Sequence, residues 1–218
     1  MGAIARAAAN NITTSGVFTS SAITNSSVTG ITVLANASDG ITFISSQTAS
    51  NSASLSFTSG LDSTYKAYKF VFSNITNATD GVSFKFNLST DSGSNYNVTK
   101  TTTMFYTAHQ ESDASDQFGY DTGRDLAQST SDGWISSDMD SQSDSSLNGS
   151  FTLFNPSSTT YVKHFISITN SVGDGGSNYT WGNYGAGYGN TTSAINAVRF
   201  QFASGNISAG KIYLYGIK

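Results

Sequence analysis

"GVSFKFNLSTDSGSNYN" (residues 81–97) places Val82, Phe84, Phe86 and Leu88 at alternate positions, with Ser83, Lys85 and Asn87 between them. Successive side chains of a β-strand point to opposite faces. A period of two therefore predicts a half-buried strand with one apolar and one polar side. "DSGSN" (91–95) then supplies the residues of a turn.

The same signature recurs on both sides of this stretch. "GITFISSQTA" (40–49) opens with Ile41 and Phe43, and "ASLSFTSG" (53–60) sets Leu55 and Phe57 on one face. "TYKAYKFVFSNI" (64–75) sorts Tyr65, Ala67, Lys69 and Val71 from Lys66, Tyr68, Phe70 and Phe72. "TTTMFYTAHQ" (101–110) reads as a further strand. "LNGSFTLFNPSSTTYVKHFISITNS" (147–171) reads as a hairpin with Pro156 at its turn, where a missing N–H costs nothing. "AINAVRFQFASGNISAGKIYLYGIK" (194–218) closes the sheet with two strands around a small-residue turn, and the last strand is expected to run nearly to Lys218. No stretch keeps a helical period over three turns. The fold class expected is all-β, an antiparallel β-sandwich or jelly roll.

Composition supports many short strands and restricts chemistry. The 218 residues include 21 Gly and one Pro, with 12% aromatics and only 11% charged residues. Soluble domains carry about 25% charged residues, so hydroxyls and amides must cover much of this surface. A net charge of −4 without a basic cluster argues against nucleic-acid binding through phosphates. The apolar runs are too short for a membrane helix. Cysteine is absent, which excludes disulfides, zinc–thiolate sites and thiol catalysis. "MGAIARAAANNITTSG" lacks the apolar core of a secretory signal and the Ser or Thr of a myristoylation pattern, so a retained N-terminus is expected.

Residues 1–40 carry isolated apolar side chains among small polar ones. This composition fits either a disordered tail or an extended N-terminal arm. The spacing of its apolar residues favours the arm, with Ile4, Arg6, Ile12, Val17, Phe18 and Ile23 as the expected partner contacts. Residues 41–218 form the expected sandwich domain. Two segments break the alternation and are expected as long loops: 109–146, which is acidic, and 171–192, rich in Gly, Tyr and Asn.

Candidate chemistry is sparse. Asp138, Asp140 and Asp144 partly match a calcium loop, but Ser143 and Gly149 stand where that loop needs Gly and Glu. A solvated acidic loop is the plainer reading, and no metal or other cofactor is expected. No nucleophile–base motif is present, and carboxylate pairs within so acidic a segment arise by chance, so no enzyme is expected. Tyr179, Trp181, Tyr184 and Tyr188 could stack on sugar rings beside Asn and Gly, or could form a subunit contact.

Three blocks carry a resemblance: residues 43–75, "FISSQTASNSASLSFTSGLDSTYKAYKFVFSNI"; residues 146–165, "SLNGSFTLFNPSSTTYVKHF"; and residues 194–218. Together they resemble small β-sandwich virion proteins of tailed bacteriophages. The resemblance spans about 43–218 and implies a structural protein of the virion. Such domains serve as capsid decoration (cement) proteins and as tail-fibre or receptor-binding proteins. The leading expectation is a homotrimeric decoration protein on the outer surface of the capsid, whose arm clamps neighbouring major capsid protein subunits. The alternative is a tail-fibre protein that reads host glycans.

Overall fold

The structure is a computed structural model and describes residues 40–173 and 179–218. The arm, with Ile4, Arg6, Ile12, Val17, Phe18 and Ile23, lies outside the described residues, apart from Gly40. The described residues form twelve strands: β1 (Ile41–Thr48), β2 (Leu55–Phe57), β3 (Ala67–Asn77), β4 (Val82–Ser89), β5 (Lys100–Gln110) and β6 (Asp116–Tyr120), then β7 (Gly133–Met139), β8 (Leu147–Phe154), β9 (Lys163–Gly173), β10 (Tyr179–Gly189), β11 (Ala197–Phe202) and β12 (Ile207–Ile217). All pair antiparallel, and no helix occurs among the described residues.

The pairing makes a large sheet, β1-β12-β3-β8-β9-β10-β5-β6, and a small one, β2-β11-β4-β7. A bridge between Met139 and Gly173 joins them at one corner, so the arrangement nearly closes on itself. Eight of the strands, β1-β12-β3-β8 facing β2-β11-β4-β7, have the order of a jelly roll. The other four come from two insertions. β5 and β6 lie between β4 and β7 in sequence, and β9 and β10 lie between β8 and β11. They widen the large sheet into a four-stranded wing, β9-β10-β5-β6.

Alternation builds the core as expected. Phe84, Phe86 and Leu88 of β4 are fully buried, as are Tyr68 and Phe70 of β3 and Phe200 of β11. Rings interlock across the two sheets: Phe70 and Phe200 at 5.1 Å, Phe72 and Phe84 at 5.5 Å, Phe86 and Phe151 at 4.5 Å. Each fully buried ring contributes about 1.5–3 kcal/mol by leaving water. The residue 147–171 hairpin forms, with Ser150 opposite Ile168. In β1 a bulge between Phe43 and Ser45 shifts the register. Ile44 then packs on the core, while Ile41 and Phe43 stay on the outer side.

β4 departs from the half-buried expectation. Its polar side is covered too, because the start of β5 and the segment before β7 lie over it. Lys100, fully buried, donates from Nζ to Asn87 Oδ1 (2.7 Å) and to the Val98 carbonyl (2.8 Å). Asn87 Nδ2 donates to Asp132 Oδ1 (2.8 Å), and Asp132 also accepts from Arg199 and Gln201. Burial pulls the Lys100 amine down to about 8, although the Asp132 charge opposes this.

Candidate functional site

Neither segment expected as a long loop is one. Residues 109–146 contain the end of β5, all of β6 and all of β7, and 171–192 contain the end of β9 and all of β10. β10 pairs along its whole length with β9 on one side and β5 on the other, from Tyr179–Gly173 to Gly189–Lys163 and from Tyr179–Gln110 to Gly189–Lys100. Glycine, a turn signal in the sequence, serves close packing here: a Cβ on Gly187 would strike the Thr101 carbonyl and press the Phe165 ring at 2.8 Å.

Because β10 is a strand, its four aromatics do not form one cluster. Tyr179 and Trp181 share one face with the buried Asn183, and Tyr184 and Tyr188 share the other. The wing thus has two surfaces of opposite character.

The inner face lies over β7 and is lined by small polar groups. Ser136, Ser137, Ser167, Thr169, Ser171 and Asn183 are all buried. Asn183 Oδ1 accepts from both the backbone N–H and the hydroxyl of Ser137, each at 2.8 Å. Thr169 donates to the Ile135 carbonyl at 2.9 Å. At the open end of this layer is a cleft of about 420 Å³ lined by Tyr106, Tyr120, Asp121, Thr122, Arg124, Ser137, Asp138 and Trp181. The Tyr106 and Trp181 rings sit 5.0 Å apart, tilted by 54°. Trp181 lies over Gly173 and Tyr106 over Gly119; a Cβ on Gly173 would overlap the indole, and one on Gly119 would come within 2.9 Å of the phenol ring. Arg124 pairs with Asp121 through Nη1 and with Asp138 through Nη2, the latter at 2.9 Å. Burial opposes its charge, yet the two carboxylates outweigh burial and hold its pKa above the ordinary arginine value.

The outer face carries an apolar row. In register across five strands stand Ser150, Ile168, Tyr184, Phe105 and Tyr120. Tyr184 stacks on Phe105 at 4.8 Å and 8°, and Phe118 leans on Phe105 at 5.9 Å. Ile166 is 47% exposed, Ile168 52% and Phe118 77%. A depression of about 220 Å³ runs between Phe105, Ile166, Ile168 and Tyr184. The outer side of an antiparallel sheet is ordinarily polar, so this surface stands out.

The acidic residues do not converge. Asp138 binds Ser83 and Arg124, Asp140 accepts from the backbone and side chain of Gln142, and Asp144 is exposed. Among the described residues no three acidic or histidine side chains gather around a point that could hold a metal. His109 instead contacts Asp113 at 3.2 Å.

Sequence reasoning identified Trp181 but missed its neighbours Tyr106, Arg124 and Asp121, which come from a strand and a connection far away in the chain. Period two within "TTTMFYTAHQ" puts Tyr106 opposite Phe105 and is the one signal that could have separated the two faces. No protein-family model, no curated protein and no solved structure matches the chain.

Proposed function

We propose that this chain is a structural protein of a bacteriophage particle: a decoration protein on the outer surface of the capsid, assembled as a homotrimer and bound to the major capsid protein. The observation that carries the reading is the outer face of the wing. Its exposed Phe105, Phe118, Ile166 and Ile168 form an apolar surface on a chain poor in charge. Burying each such side chain yields up to about 1.5–3 kcal/mol before ordering costs. Three wings that converge on a three-fold axis would each bring the same apolar row to it. The three resembling sequence blocks point to the same class of protein.

The test is copy number in purified virions against the major capsid protein, together with sedimentation of the isolated chain. Hundreds of copies per particle and a trimer in solution are expected. A dozen or two copies would move the chain to the tail. A chain that stays monomeric at micromolar concentration, or is missing from virions, overturns the proposal.

A further inference from the structure

The cleft on the inner side of the wing has no part in the packing of the outer face. We propose that it is a carbohydrate-binding site, taking an oligosaccharide whose sugar ring stacks against Trp181 and Tyr106 and whose hydroxyls bind Asp138, Arg124 and Ser137. This holds wherever the chain sits in a particle.

Each wall of the cleft contributes to the argument. Trp181 and Tyr106 lie over Gly173 and Gly119, which hold their rings against the sheet and leave aromatic surface in the cleft wall. Sugar rings present C–H groups that suit such a surface. Asp138 is about half exposed, and both of its contacts, from Ser83 and Arg124, fall on Oδ1. Oδ2 has no partner among the described residues and is free to accept from a hydroxyl. Arg124 Nε is buried without an acceptor, although a buried donor ordinarily finds one. Ser137 spends its proton on Asn183 and keeps its lone pairs. The site therefore offers both donors and acceptors beside an apolar wall.

Other ligand classes fit less well. Two carboxylates in the wall repel phosphate and sulfate, and Arg124 between them disfavours a metal cation. The volume lies within the usual range for small-ligand sites, about 300–1,000 Å³. A second cleft of about 350 Å³ shares Asp121, Arg124 and Asp138 and reaches Ser83, Lys85 and Trp134. It has room for a second sugar unit, which is why the proposal names an oligosaccharide.

The experiment is a glycan microarray carrying bacterial O-antigen and capsular oligosaccharides, probed with the full chain and followed by calorimetric titration of the retained glycans. Trp181→Ala removes a stacking surface. Asp138→Asn, at an exposed position, keeps the shape and removes a charged acceptor. Circular dichroism checks that both variants fold, and Tyr161→Ser, at an exposed position between β8 and β9, serves as the control. At least one glycan is expected to bind. Asp138→Asn should weaken it about tenfold or more, as expected for a charge-assisted hydrogen bond, and Tyr161→Ser should leave it unchanged. Retention of no glycan overturns the proposal, and so does an affinity that changes less than about tenfold in both Asp138→Asn and a folded Trp181→Ala.

Discussion

Two interiors of different chemistry lie within this fold. Between β3-β8 and β11-β4 the space is filled by phenylalanine, with Phe200 touching Phe57, Phe70, Phe72, Phe84 and Phe151. Between the wing and β7 it is filled by Ser, Thr and Asn: Asn183 Oδ1 accepts from Ser137 and Thr169 donates to the Ile135 carbonyl, while Asn183 Nδ2 and Ser171 Oγ are buried without a partner among the described residues. The first interior is held by non-directional burial and tolerates only side chains of similar volume. The second is held by directional bonds, gains little from burial, and keeps a cleft at its open end. The jelly roll provides stability, and the inserted strands provide surfaces.

The difference predicts unequal sensitivity. Phe200→Ala opens a cavity at the centre of the phenylalanine network and should cost about 3–5 kcal/mol, read from urea unfolding. A loss below about 1 kcal/mol would mean that the core is looser than its packing indicates. Asn183→Ala removes the acceptor shared by the Ser137 N–H and hydroxyl, and should cost about 1–3 kcal/mol. Hydrogen exchange should then quicken in β7 and β10 before it does in β3 or β11. Uniform quickening would erase the distinction between the two interiors.

The two interiors also differed in how far the sequence disclosed them. Alternation in 81–88, 64–75 and 197–202 marked each strand and separated its two faces, because a large apolar side chain has only one favourable place to go, but it did not show that the polar face of β4 is covered as well. In the wing, 101–110 and the second half of 147–171 read as strands and became β5 and β9, but β6 and β10 carried no such mark. β10 has glycine at 182, 185, 187 and 189 and aromatics on both faces, a composition that reads as turn. Its strand character comes from pairing on both sides with β9 and β5, which are nonlocal partners. The cleft was still less legible. Trp181, Tyr106, Arg124 and Asp138 stand on four different segments, and only the folded register brings them together.

A buried amine gives a smaller effect with a defined sign. Burial lowers Lys100 to about 8 in the native state, against an ordinary lysine value near 10.5. Below about pH 8 both states keep the proton, and the cost of burying the charge is borne in full. Between about pH 8 and about pH 10 the native amine releases its proton while the unfolded chain retains its own. The unfolded state then binds more protons, and stability rises with pH, on the order of 1 kcal/mol over this interval. Above about pH 10 the trend reverses, because burial raises the pKa of Tyr68 and holds it neutral while the unfolded tyrosine ionises. Urea midpoints across this interval read the rise, and Lys100→Met should flatten it. An equal rise in Lys100→Met would assign it to other groups.

The smallest expected change in stability separates the wing's two faces. Ile168 is half exposed and stands beside Tyr184 in the outer apolar row, so Ile168→Thr should alter unfolding free energy by less than about 0.5 kcal/mol. Threonine also keeps the β-branched shape that suits a strand. If the outer face is an assembly surface, the same substitution should shift the sedimenting species from trimer toward monomer, because the lost contact is repeated at every symmetry-related interface. A stable, fully trimeric Ile168→Thr would move the assembly contact elsewhere, first to the edge strand β1, where Ile41 and Phe43 are also exposed. A destabilised variant would instead show that the row is held by its own cross-strand packing, with Tyr184 and Phe105 leaning on Ile168 as a third core.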